Sequence, residues 1–372
     1  MSRDECDKAE EPQRGHCATG SPSDLPLHML NHHGDSEITS GLHDFAVNVY
    51  SGPRPVWLSA ALHRAVDDAI DYPDTTRARA ALATLHGRPE NEVLPTAGAS
   101  EAFVIVAGLR QWQRPAVIHP QFTGPHAALI SAGHAVTTVL CRPEDGFLLD
   151  PDAVPADTDL VVVGNPTNPT GVLHPVNTIR RLLRPGRVVL VDEAFIDAVP
   201  GEPESLAGDR SAGLLVTRSL TKHWSIPGIR AGYLIGDPTL IAEAACLQAP
   251  WSVSTPAIAA MLACSHDRAL AERQRRANVL HLWTVQLSGE LAQRGIHVVP
   301  GQAPYLLAQV GQGYHAALRS LGIAVRRADT FPGLDGTWIR IAARDPATTT
   351  HLLAAMDLVA EARPSLAEAL PT

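Results

Sequence analysis

The 372-residue chain carries 30 Lys and Arg against 39 Asp and Glu, a formal charge of −9 that offers no basic stripe to nucleic acid. Its five cysteines, Cys6, Cys17, Cys141, Cys246 and Cys264, are an odd set without a Cys-x-x-Cys pair, which argues against a disulfide framework or a zinc site. With 45% hydrophobic residues the chain can bury a large core; with no apolar run near the roughly 20 residues of a membrane span and no apolar signal core, a soluble, cytoplasmic protein is expected.

In chain order, residues 1–29 are polar and poor in large apolar side chains, and are expected to be a disordered tail. Residues 30–55 read as an N-terminal arm, with Asn31-His-His33-Gly-Asp followed by Phe45-Ala-Val-Asn48-Val-Tyr50 in the alternation of an edge strand. His32, His33 and His43 lack the partners of a metal site, so His33 reads as a surface or substrate-pocket histidine. Over 57–71 the apolar residues Leu58, Leu62, Val66 and Ile70 recur every four positions, a helical face closed by Tyr72-Pro73. Gly98-Ala99-Ser100 opens a helix expected to end near Gln111. Its free N–H groups and small residues suit a phosphate, although the same tripeptide is an ordinary cap.

Strand-like runs around Val117, Val136, Val161, Val188 and Leu214 alternate with helical patterns, the mark of a mostly parallel sheet that binds ligands at the C-terminal ends of its strands. Helices are expected from Thr239 and Ser254 and, as one long element, over 267–293. Strands over 296–299, 305–310, 323–327 and 337–342 then form a second, mixed α/β layer. The chain divides on this reading into a large domain, 56–268, and a smaller one, 269–372.

Three stretches carry chemistry. Leu214-Leu-Val-Thr-Arg-Ser219-Leu-Thr-Lys222 brings a lysine just past a buried strand, where desolvation lowers its pKa and frees a neutral amine for Schiff-base formation. Ser219 and Arg230 on either side suit a phosphate. Val188-Val-Leu-Val-Asp192-Glu-Ala-Phe195 delivers a carboxylate at a strand end, and Gly164-Asn-Pro-Thr-Asn168-Pro-Thr-Gly171 is a strand running into a punctuated turn. A loop lysine, a helix cap and a plain turn would explain each alone; their order in one chain is far more specific.

Together these stretches resemble the aspartate-aminotransferase fold (fold type I) of pyridoxal-phosphate enzymes, a large domain on a mostly parallel sheet plus a smaller α/β domain. His33-Gly-Asp, Phe45-Ala-Val-Asn-Val, His119-Pro-Gln-Phe-Thr and Arg218-Ser-Leu-Thr-Lys are most similar to the branch of histidinol-phosphate aminotransferases and actinobacterial threonine-phosphate-decarboxylase-like proteins. The resemblance implies pyridoxal 5'-phosphate on Lys222. It places Asp192 at the pyridine nitrogen, Asn168 at the phenolic oxygen and Phe122 on the ring face, with Gly98, Ala99, Ser100, Ser219 and Arg230 around the phosphate. It further implies a homodimer in which Tyr72 reaches the partner's cofactor.

For the substrate, the resemblance assigns Arg340 to the α-carboxylate and makes Arg326 and Arg327 candidates for a distal anion, with His33, Asn48 and Tyr50 of the arm near the mouth. Phe195 stands where many aminotransferases have tyrosine, and Tyr50 where the actinobacterial relatives have arginine. The leading expectation is decarboxylation of L-threonine O-3-phosphate. Transamination of the histidinol-phosphate kind, elimination or replacement chemistry on another amino acid, and a non-catalytic binding protein are the alternatives.

Overall fold

The computed structural model describes residues 26–362, so most of the expected tail lies outside the described residues; Leu27–Leu30 already form a helical turn with Leu30 buried. Twelve strands make two sheets: β1 His43–Phe45, β2 Val93–Thr96, β3 Pro115–His119, β4 Thr137–Leu140, β5 Leu160–Gly164, β6 Val188–Asp192, β7 Leu214–Ser219, β8 Gly232–Gly236, β9 His297–Val298, β10 Tyr305–Gln309, β11 Ile323–Arg327 and β12 Trp338–Ala342.

The larger sheet has the order β2-β8-β7-β6-β5-β3-β4, and β8 alone runs against the others. Its central strands are apolar on both faces. Val161, Val163, Val189 and Val191 pack into one core, whereas Leu160, Val162, Val188 and Leu190 pack into another on the opposite side. Such double burial explains why these strands read as unbroken aliphatic runs. The sequence reading missed β2 and β8. Pro95 sits in β2 and cannot donate to a ladder, which demotes the run to a non-strand, but β2 is the sheet edge, where proline is tolerated.

The second sheet has the order β1-β11-β12-β10-β9. Part of the arm belongs to it, since β1 pairs in parallel with β11, His43 opposite Ile323. The 27-residue helix Asp267–Gln293 falls where its periodicity places it and packs against both layers.

The helical face over 57–71 needs correction. The helix is Val56–Asp67 and buries Leu58, Leu62 and Ala65, while Val66 is 63% and Ile70 87% exposed. A strict spacing of four overshoots a turn by about 40° each time, so Val66 rotates off the buried side, and Ile70 lies beyond the helix end.

Close backbone approach joins the sheet edge to the loop after β2. A Cβ on Gly232 would lie 2.8 Å from the Arg218 carbonyl oxygen and equally near Cα of Gly98. Gly232→Ala is therefore expected to destabilise the protein by about 1–3 kcal/mol, the usual range for overpacking. Urea unfolding should show a lower midpoint with an unchanged slope.

Candidate active site

Six of the seven strands end at the same edge of the large sheet, and their C-terminal loops surround a cavity of about 510 Å³. Phe122 follows β3, Asn168 follows β5, Asp192 ends β6, Ser219 ends β7, and Thr221 and Lys222 come directly after it. The arm supplies His33 and Asn48; β11 and β12 supply Arg326 and Arg340.

Lys222 is half-buried, and burial together with Arg340 and Arg230 lowers its pKa, against the opposing pull of Asp35 and Asp192. Asp192 accepts from the Ala194 N–H at 3.0 Å; burial raises its pKa to about 6, against the effect of that bond and of Lys222. A buried carboxylate held so weakly as an anion is one that a cationic ring nitrogen would stabilise. Its neighbour Glu193 points the other way, to Arg218 at 3.1 Å, as strand alternation requires.

Groups that suit an anion line the same cavity as Lys222. Gly98 has φ 80°, and a Cβ there would fall 2.7 Å from Nη2 of Arg230. The helix Ala99–Gly108 begins immediately after it and presents the N–H groups of its first turn. The Ser219 and Thr221 hydroxyls stand 2.7 Å apart. Thr221 escaped the sequence reading, although its place between Ser219 and Lys222 could have suggested it. Phe122 lies between His33 and Phe103, ring centroids 5.3 and 6.0 Å away. These groups fit pyridoxal phosphate: an anion cradle, a flat ring to stack on, a carboxylate and a buried amine line one cavity.

Arg326 and Arg340 are register partners across the antiparallel β11–β12 pair, so both side chains emerge on one face. Arg340 donates through Nη1 to Asn168 Oδ1 at 2.8 Å and through Nη2 to the Ala46 carbonyl. With its amide oxygen turned inward, Asn48 accepts from Nε at 3.3 Å and Nη1 at 3.1 Å. Among the described residues none of these partners is a carboxylate, and burial with Arg326 nearby lowers the Arg340 pKa to about 9. Because Arg340 occupies Oδ1 of Asn168, the Nδ2 group of that amide is left to donate into the cavity.

Arg326 donates to the carbonyls of His32 (2.7 Å) and Arg327 (2.6 Å) and to Thr330 Oγ1 (2.6 Å), with Glu37 3.8 Å away. Burial lowers the His33 pKa; Asp35 opposes this and Arg326 reinforces it, and the net shift favours the neutral ring.

Three candidates lie elsewhere. Arg327 pairs with Asp329 and does not line the cavity. The Tyr50 ring is stacked 6.0 Å from Trp283 with Arg276 4.4 Å above it, beside a smaller void. Tyr72 is 76% exposed and stacks on Trp251, outside the cavity. Among the described residues no group of three or more His, Cys, Asp or Glu could hold a metal ion, and no helix is long and apolar enough to cross a membrane.

The family model for aminotransferase class I and II matches residues 40–356. The chain is 43% identical over 332 residues to a histidinol-phosphate aminotransferase of Mycobacterium tuberculosis, covering 88% of this chain and 90% of that protein. It is 29% identical over 337 residues to the threonine-phosphate decarboxylase of Salmonella typhimurium, covering 84% and 90%. The crystal structure of the histidinol-phosphate aminotransferase from Clostridium acetobutylicum superposes with a TM-score of 0.78 at 23% identity, over 86% of this chain and 99% of that one.

The lowered Lys222 pKa makes a neutral amine available below the usual 10.5 of lysine. The rate at which the apoprotein captures pyridoxal phosphate, trapped by borohydride, should rise with pH to a midpoint below that value. Arg340→Gln should move the midpoint up, because it removes a cation that disfavours the ammonium form, and Lys222→Ala should abolish trapping.

Proposed function

Because the chain belongs to the class I and II aminotransferases, with their aspartate-aminotransferase fold and pyridoxal 5'-phosphate cofactor, we propose that it acts at the Cα of a small amino acid carrying a second, distal anion, with decarboxylation of L-threonine O-3-phosphate as the leading reaction. The observation that carries this reading is the pair Arg326 and Arg340, directly opposite one another on a strand pair and both lining the cavity. Two buried cations side by side are unfavourable without anions to receive.

When bound, pyridoxal phosphate supplies a carbonyl for the substrate's amino group and a ring that takes up the electrons of the bond broken at Cα. Arg230, Ser219, Thr221 and the first-turn N–H groups of Ala99 and Ser100 would hold its phosphate. Asp192 would keep a proton at the ring nitrogen, Asn168 would donate through Nδ2 to the phenolic oxygen, and Phe122 would cover the ring face. Arg340 grips the α-carboxylate with two donors. An anion held on Arg326 would fix how the substrate turns about Cα and so select which bond there breaks. Lys222, whose ammonium form burial disfavours, would carry the proton to or from Cα through Nζ.

Transamination of histidinol phosphate is the second reading, favoured by the 43% identity to a protein of that name. Incubating holoenzyme with L-threonine O-3-phosphate, L-threonine, or histidinol phosphate plus a 2-oxo acid, with CO₂ and amino-group transfer read in parallel, separates the two. The expected result is CO₂ from the phosphorylated substrate, with kcat/KM at least tenfold higher than for L-threonine. Charge-assisted contacts contribute about 1.5–3 kcal/mol each, and ~1.4 kcal/mol is a factor of ten. Arg326→Gln should erase that preference. Amino transfer without CO₂ would establish the second reading.

We also propose a homodimer in which Tyr72 reaches the partner's cofactor phosphate. The exposure of Tyr72 beside Trp251, Val66 and Ile70 supports it. Sedimentation should give a dimer, and Tyr72→Phe should weaken cofactor retention by about 1.5–3 kcal/mol, the loss of one hydrogen bond to a charged group. A fully active monomer would exclude it.

A further inference from the structure

A second, much smaller void of about 10 Å³ adjoins the main cavity and shares Asn48, Phe195 and Lys222 with it; Tyr50, His223 and Arg344 are among its other walls. Its size is on the scale of a single water molecule.

His223, the residue after Lys222, points to what occupies it. Its Nε2 lies 3.2 Å from the Arg273 carbonyl oxygen, and because a carbonyl can only accept, Nε2 must carry the hydrogen. Burial lowers the His223 pKa to about 4, with Asp197 opposing and Arg276 and Arg273 reinforcing the shift. The ring is then neutral and Nδ1 is a bare acceptor. Among the described residues that buried Nδ1 has no hydrogen-bond partner, an arrangement that folded proteins resolve with an ordered water.

We propose that one water donates to His223 Nδ1 within this void and solvates Lys222, which makes His223 a positioning residue for the lysine. The charges that face Lys222 are Arg340 from β12, Arg230 from the loop after β7, Asp35 from the arm and Asp192 from β6; burial outweighs them all in lowering its pKa. A water at its flank gives back some of the lost hydration of the ammonium form. Removing that water therefore leaves the amine more readily neutral. The inference rests on Lys222 being the residue that captures the cofactor, and it holds for either reaction proposed above.

The test uses the full-length protein. A crystal structure should show one water within hydrogen-bonding distance of His223 Nδ1, with capture of pyridoxal phosphate by the apoprotein followed in parallel at about pH 8, below the unperturbed lysine pKa. His223→Phe, which keeps a ring and loses the acceptor, should lose the water and capture the cofactor roughly threefold faster, through a larger neutral fraction. His223→Gln, which keeps an acceptor, should behave as wild type. A purely structural defect would slow capture instead. The proposal is overturned by a wild-type site without water, whatever the variants do, or by unchanged or slower capture in His223→Phe. Failure of the wild type to capture cofactor would discredit the role of Lys222 and leave the density at Nδ1 to decide on the water.

Discussion

The site is built around two guanidinium groups that face each other across β11 and β12. Like charges opposite one another on a strand pair repel, and burial removes the water that would screen them. The protein answers mostly with dipoles. Arg340 is held by the Ala46 carbonyl and by Asn168 and Asn48, and Arg326 by two carbonyls and the Thr330 hydroxyl. These groups orient both cations; Arg326 also has the Glu37 carboxylate 3.8 Å away, whereas among the described residues the charge of Arg340 has no carboxylate partner and remains available to a ligand. They come from the arm, from the loop after β5 and from the second sheet, so the site exists only once those three have docked.

The same positive field shapes Lys222. Burial would lower its pKa in any apolar setting, and Arg340 and Arg230 add to the effect. The carboxylates are sorted with equal economy. Asp192 and Glu193 are consecutive, yet alternation sends Asp192 to the cavity and Glu193 beneath the sheet edge, where Arg218 also binds Asp197 and Glu202. That buried cluster satisfies Glu193 and leaves Asp192 to face the cavity.

Lys222 is held in place through its backbone and its neighbours. The Tyr50 N–H donates to the Lys222 carbonyl at 3.0 Å, and Ser225 Oγ donates to the Tyr50 carbonyl at 2.7 Å. Arg276, on the long helix, donates to the carbonyls of His223 (2.7 Å) and Pro53 (2.8 Å) while covering the Tyr50 ring. The arm is therefore tied to the lysine loop at one end and, through Asn48, to Arg340 at the other. Tyr50 has a packing and backbone role here.

The residues that define the chemistry were legible because they are local. Asp192 and Ser219 end a buried strand, and Asn168 and Lys222 follow one within four residues; such a run announces both the strand and the edge where the chain emerges. Patterning failed where context overrode it: Pro95 disguised an edge strand, and the spacing of Val66 and Ile70 suggested a face that the helix does not bury. Arg326 and Arg340 could be singled out one at a time, but their pairing depends on the β11–β12 register, which is set by packing between segments distant in sequence. The same holds for the amides that grip Arg340, for Tyr50 beneath Arg276 and for the unpartnered nitrogen of His223. The sequence by itself determined which groups this protein brings to its chemistry; only the tertiary structure decided which of them share a face, a hydrogen bond or a void, because those relations are distances between chain segments that no local pattern encodes.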